Sequence, residues 1–214
     1  MKKNTLLFIL WMGLLVLNAQ QKKGQDTIFL MNGQVAAHKV LDSTVAGVSI
    51  QNPDKADKKI YYEWNQIYMV KYASGLKRFY YEQDTTINNW FTREEMWYYM
   101  LGERDARKGF KPKGSIIGAG LFGLTGGLTG LFWAPLLPYS YMALSGIPKV
   151  KIKHNTISQP NAVDFDSYLL GYERVAKQKR KLYSLASGTA GLVVGFGLYF
   201  IFKNTYPESI NLGK

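Results

Sequence analysis

The chain has no cysteine. That excludes disulfides, thiolate metal sites, a cysteine nucleophile and the modified cysteine of a lipoprotein anchor. Acids are scarce, 15 against 27 Lys and Arg, which leaves a net charge of +12. Histidine occurs twice, at His38 and His154, and neither has another His, Asp or Glu nearby at metal-ligand spacing. The most informative absence is charge itself. It is missing from the 35 residues Gly114 to Pro148 and from the 21 residues Leu182 to Phe202. An uncharged apolar stretch of about 20 residues matches the roughly 30 Å hydrocarbon core of a bilayer. Neither run contains a carboxylate, which argues against ion-coupled transport through an intramembrane acid. No nucleophile–base pair or metal set is visible, so the sequence predicts a non-enzyme with no cofactor and no metal.

What is present begins with a short basic segment, Lys2 and Lys3, followed by the apolar run Leu6 to Leu17 and the small-residue site Leu17-Asn18-Ala19. This is the pattern of a secretory signal over residues 1–19, with a mature chain starting near Gln20 or Gln21. The alternative is an uncleaved signal anchor. Either way the following domain is exported, which predicts an inner-membrane protein with its N-terminal domain in the periplasm.

The excess positive charge is concentrated in a loop. Residues 148–184 hold eight Lys and Arg against three acids. A basic loop beside apolar segments reads as lipid-facing, with Lys177, Lys179, Arg180 and Lys181 contacting headgroups. Nucleic acid is not an expected partner, since no recognition module is visible. The run Gly114–Pro148 is expected to cross once, which places this loop in the cytoplasm in accord with the positive-inside rule. If it is a hairpin, the loop lies outside with the basic residues 104–113, and only the C-terminus is cytoplasmic.

The periodicity predicts a small β domain over 22–85. Asp26 to Met31 is strand-like, Asn32-Gly33 suits a two-residue turn with positive φ at both positions, and Gln34 to Leu41 follows. Asp42-Ser43 forms a turn before Val45 to Gln51. Lys59 to Trp64 alternates apolar and polar residues, and Ile67 to Tyr72 and Leu76 to Tyr81 flank a turn at Ala73-Ser74-Gly75. The expected architecture is an antiparallel meander or partly open barrel. A helix over 90–109 follows, capped by Thr92 with Glu95 and stapled by Phe91 with Met96. Its aromatic start suits either a membrane interface or packing on the β domain. Residues 114–148 form a Gly-rich membrane segment, either a helix Ile116–Trp133 broken by Pro135 and Pro138 plus a re-entrant piece, or a short hairpin. A basic loop and helix over 149–181 leads into a transmembrane helix, 182–202, and a tail, 203–214. The fold class is thus an α+β membrane protein with Gly-rich transmembrane helices.

Gly118 to Gly123 matches G-x-G-x-x-G, but no full strand precedes it and no acid follows within the run, so dinucleotide binding is not supported. Close helix packing is the better account. Gly114/Gly118, Gly123/Gly127 and Gly126/Gly130 are i, i+4 pairs, and Gly191/Gly195 repeats the spacing, with Ser184/Gly188 and Ser187/Gly191 as weaker pairs. In lipid, small residues let backbones approach so that dispersion contacts form. The expected packing residues are Gly118, Gly123, Gly126, Gly127, Gly130, Gly191 and Gly195, with Leu124 on the lipid face.

Three pieces carry a resemblance. They are Asp26-Thr27-Ile28-Phe29-Leu30-Met31-Asn32-Gly33 followed by Lys39-Val40, the run Gly102-Glu103-Arg104-Asp105-Ala106, and Tyr168-Leu169-Leu170-Gly171-Tyr172. They resemble an uncharacterised family of Gram-negative envelope proteins with a signal peptide, a small β domain beginning D-x-I-x-L-x-[ND]-G, and Gly-rich membrane segments around G-x-x-D-A and Y-x-x-G-Y. The resemblance implies architecture and brings no activity with it. Two functions fit the sequence. One is a structural or adaptor protein of the envelope with a periplasmic interaction module. The other is an oligomeric subunit of a transport or export assembly. Membrane lipids and a protein partner or second copy are the expected partners.

Overall fold

The structure is a computed structural model that describes residues 25–52, 55 and 57–205. The expected signal segment 1–19 and the tail beyond Thr205 lie outside the described residues. The chain divides into two compact units, one ending at Trp90 and one beginning at Phe91.

The first unit is antiparallel β. Its strands among the described residues are β1 (Thr27–Leu30), β2 (Val35–Ala37), β3 (Val40–Ser43), β4 (Gly47–Gln51), β5 (Lys59–Glu63), β6 (Ile67–Lys71) and β7 (Lys77–Phe79). They form two sheets, ordered β2-β1-β6-β7 and β3-β4-β5, rather than one meander or barrel. The expected strand Gln34–Leu41 is split because Asp26 captures it. The Asp26 backbone carbonyl accepts from His38 N at 3.0 Å, and its Oδ2 accepts from Val40 N at 2.8 Å. The chain therefore leaves one sheet at Ala37 and enters the other at Val40. Asp26 Oδ1 also accepts from Ala73 N at 2.8 Å and so holds the β6–β7 turn. Asp42 and Ser43 lie inside β3, and the turn falls at Thr44–Ala46 instead.

Asn32-Gly33 does turn the chain, but only Gly33 has positive φ, at 76°. The loop is Met31-Asn32-Gly33, closed by Leu30 N donating to Gln34 O at 3.0 Å. A left-handed Gly ending a three-residue loop is the second common hairpin solution. One core serves both sheets. Ile28, Leu30, Ile67 and Val70 from the first pack with Val48 and Ile50 from the second. Tyr72 Oη donates to Ser43 Oγ at 2.7 Å, and Arg78 donates to Ser43 O at 3.2 Å, adding polar links between the sheets.

The second unit is helical. Helix α1 (Arg93–Gly109) starts at the expected capping box, with Thr92 N donating to Glu95 Oε2 at 2.8 Å and Glu95 N to Thr92 Oγ1 at 3.2 Å. Phe91 lies against Tyr99, and Tyr98 stacks on Phe165 with ring centroids 3.7 Å apart. These aromatics thus pack within their own unit. Helix α2 (Lys113–Leu128) stops earlier than expected because Gly130 adopts the left-handed conformation that closes a helix C-terminus. Pro135 caps α3 (Leu136–Ser145), and Pro138 lies in its first turn, where no amide is needed. Helix α4 (Asp166–Thr205) is 40 residues long, about 60 Å.

Helix α4 is the spine of this unit. Gly102 lies against Tyr168 and Tyr172, Gly123 against Gly188 and Leu192, and Gly127 against Gly195 and Phe196. The contacts advance together, so α1 and then α2 run parallel to α4. Helix α3 runs back, with Pro138 near Gly188 and Gly146 near Lys181. The segment 114–148 is therefore a helical hairpin whose two ends meet. Among the described residues, only α4 is long and apolar enough to cross a membrane, which corrects the expectation of several such helices. At 16 and 10 residues, α2 and α3 measure about 24 and 15 Å and fall short of a full crossing.

Candidate functional site

Two features of the helical unit combine sequence motif and geometry. The first is the crossing of α1 with the first half of α4. Gly102 and Gly171 make it possible. A Cβ on Gly102 would strike the Tyr168 carbonyl, and one on Gly171 would strike the Tyr99 carbonyl. Each glycine thus admits the other helix's backbone. The crossing is built from the G-x-x-D-A and Y-x-x-G-Y residues. Ala106, Tyr168 and Tyr172 are all fully buried there.

Two acids are buried in the same place. Asp105 Oδ2 accepts from Ser158 N and Oγ, both at 2.8 Å, and from Tyr168 Oη at 3.1 Å. It ties the loop before α4 to α1. Glu103 accepts from Arg107 at 2.9 Å and Arg174 at 3.2 Å. Burial raises the Glu103 carboxyl above its ordinary pKa, while Arg107 and then Arg174 pull it back. Arg174 also donates to Tyr99 Oη at 2.8 Å. Both carboxylates are thus occupied by donors of their own chain, an arrangement that fixes the crossing and leaves no base facing solvent. Among the described residues, no group of three or more His, Cys, Asp or Glu is placed to hold a metal.

No protein-family model, curated protein or solved structure matches this chain. The reading of its sites therefore rests on geometry and chemistry.

The second feature is the glycine-lined contact of α2 and α3 with the second half of α4. The seven expected packing glycines divide three ways. Gly123, Gly127, Gly191 and Gly195 lie where α2 and α4 touch, and a Cβ on any of them would meet backbone atoms of the facing helix within 3.0 Å. Gly118 and Gly126 face α3 instead, against the Tyr141 hydroxyl and Leu137. Gly130 ends α2 and lies beneath the Tyr199 ring. Gly120 and Gly188 also stand at the contact. Leu124, expected on the lipid face, belongs to the contact, since its backbone lies under Gly191 and Gly195.

The large residues of this region point outward. Phe132 is 92% exposed, and Leu121, Phe122, Leu144, Val193 and Ile201 are each more than half exposed. Only 17% of the most apolar window of α4 is buried. A core helix of a water-soluble protein would be mostly covered.

The four cations expected at headgroups are largely occupied within the chain. Lys179 Nζ donates to the Ala106, Arg107 and Phe110 carbonyls and so satisfies the C-terminal end of α1. Arg180 donates to the Pro148 carbonyl at 2.6 Å and the Lys149 carbonyl at 3.3 Å. Lys177 pairs with Glu173 at 2.9 Å. The stem of Lys181 packs over Gly146.

Proposed function

We propose that this is a non-enzymatic integral membrane protein of the bacterial cell envelope. Its β unit is an interaction module, and its glycine-packed helical hairpin with α4 is the anchor. The observation that carries the reading is the combination of small residues inside and large apolar residues outside around α4. Water disfavours such a surface, whereas lipid accepts it. Helix α4 is about twice as long as the hydrocarbon core is thick. Its half from Leu182 lies in the membrane, with the α2–α3 hairpin dipping in beside it. The half before it, joined to α1 through charged networks, stands outside.

The hairpin sets the topology. The polar helix α1 does not cross, so the β unit, both basic flanks of the hairpin and the start of α4 share one side. The signal-like N-terminus assigns that side to the periplasm. The abundance of Lys and Arg at that end favours the cytoplasm, but an early segment commonly dominates orientation. The role is structural or adaptor, holding a partner of the β unit at the membrane surface.

Fractionation of cells expressing the full chain tests the anchor, which predicts retention in the membrane pellet after alkaline carbonate extraction. Release into the carbonate supernatant would sink it. An Asn155→Cys variant tests the side. Labelling by an impermeant thiol reagent in intact spheroplasts is expected, and complete protection until lysis would reverse the orientation. Crosslinking in mild detergent decides between an adaptor, expected to capture a different protein, and a defined oligomer of this chain.

A further inference from the structure

We propose that the open end of the α2–α3 hairpin is a binding site for an anionic lipid that carries two phosphates. The inference rests on the membrane reading above but not on which side the site faces.

The end of α1, the start of α2, the end of α3, the segment 148–156 and Arg180 of α4 line an open cavity of about 900 Å³. Six lysines line it, Lys108, Lys111, Lys113, Lys149, Lys151 and Lys153, and no carboxylate does. Several other cations of this unit are paired. Arg107 and Arg174 are paired with Glu103, Lys177 with Glu173, and Lys179 with three carbonyls. None of the six lysines forms an ion pair among the described residues. All six are exposed, so water screens their mutual repulsion without abolishing it, and an anion between them offsets what remains.

The cavity has further donors. Ser115 and Tyr141 line it as well, and both carry a hydroxyl. Helix α2 starts at its wall without a side-chain cap; Lys113 N donates to the Lys111 carbonyl at 3.0 Å, which leaves the Gly114 and Ser115 amides and the positive end of the dipole to an anion.

Two observations select a lipid carrying two phosphates. First, the cavity adjoins an apolar surface. Ile117, one turn into α2, and Leu144 and Ile147, at the end of α3, are each more than 60% exposed. Phosphates held by the lysines would leave acyl chains lying along these residues. A free inorganic anion uses no such surface. Second, six lysines around this volume exceed what a single phosphate neutralises. Basic pockets between membrane helices suit multiply charged headgroups for this reason.

The test uses the full chain in mild detergent. It is titrated with diphosphatidylglycerol, phosphatidylglycerol, phosphatidylcholine and inorganic diphosphate, with binding read by native mass spectrometry. One diphosphatidylglycerol per chain is expected, bound at least ten-fold more tightly than phosphatidylglycerol, with no phosphatidylcholine retained. The triple change Lys111→Gln, Lys149→Gln, Lys151→Gln is expected to weaken binding at least ten-fold. The matching Arg triple should retain it. A control with the same charge loss on exposed lysines of the β unit, Lys58→Gln, Lys59→Gln, Lys77→Gln, should leave it unchanged. Equal weakening by the control triple would reduce the effect to net charge and overturn the site. Equal affinity for inorganic diphosphate would overturn the lipid, and equal affinity for phosphatidylglycerol would overturn the two-phosphate class. Carbonate extraction of the same variants separates the two readings. Loss of lipid binding with retention in the pellet refutes only the site, and release of the unaltered chain refutes the anchor.

Discussion

The β unit and the helical unit, proposed here as an anchor, solve packing in opposite ways. In the β unit the large apolar residues are inside, with Ile28, Val48, Ile50, Ile67 and Val70 fully buried. In the anchor the fully buried positions include Ala119, Ala134 and Ser184, while Phe132 and Val193 point out. On the membrane reading proposed above, the difference follows from the solvent. In water, burial of apolar area drives folding at about 25 cal/mol per Å². In lipid that force vanishes between helices, and close backbone approach with its dispersion contacts replaces it. A residue's size therefore has opposite meanings in the two halves of one chain.

The largest test of that contrast is to enlarge a residue where the anchor is tightest. Gly123→Ile would drive a branched side chain into the Gly188 carbonyl. Overpacking of this kind costs about 3 kcal/mol or more, because backbone must move. The variant should accumulate poorly in membranes and lose its thermal transition in detergent. Leu121→Ile, on the exposed face, should be nearly silent. Equal behaviour of the two would show that the glycines are not a packing seam.

The converse change shrinks a residue where the β unit is tightest. Ile28→Ala should cost about 2–5 kcal/mol of β-unit stability through lost burial and a cavity. Limited proteolysis should then clip the β unit while the anchor stays in the membrane pellet. Co-ordinated loss of both would mean that the units fold together.

A smaller effect separates the two halves of α4. Because burial raises the Glu103 pKa, the folded state holds its proton to higher pH than the unfolded chain does. This term favours the fold fully below the ordinary glutamate range, near pH 4.5, and is lost as pH rises through the folded-state value. Glu103→Gln should flatten that part of the stability profile of the helical unit in detergent. An unchanged slope would mean that the carboxyl titrates normally.

The smallest expected effect is a gain. A Cβ on Gly197 would have no neighbour within 4 Å. Gly197→Ala should therefore be neutral or stabilise α4 by up to about 1 kcal/mol through helix propensity. A marked loss of assembly would instead place Gly197 at a contact with a second copy.

Periodicity and capping were enough to find the elements whose signals are local. The Thr92–Glu95 box placed the start of α1, the alternation of Ile60 and Tyr62 placed β5, and the loss of charge from Leu182 marked the apolar half of α4. Other features depended on residues far apart. Nothing near His38 says that Asp26 splits β2 from β3 and sends them to different sheets. The hairpin was one of two options because an uncharged run fixes hydrophobic length but not direction. The approach of Pro138 to Gly188 and of Gly146 to Lys181 decided it. The sequence showed Gly102, Asp105, Tyr168 and Gly171 as motifs, but close approach is a relation between two helices and cannot be read from either. The six cavity lysines come from two separate stretches, 108–113 and 149–153, so their convergence is a product of the hairpin. Composition and local pattern thus determined which stretches are polar, apolar or turn-forming. The tertiary structure alone decided which of them meet, because distance in space is set by packing and not by order along the chain.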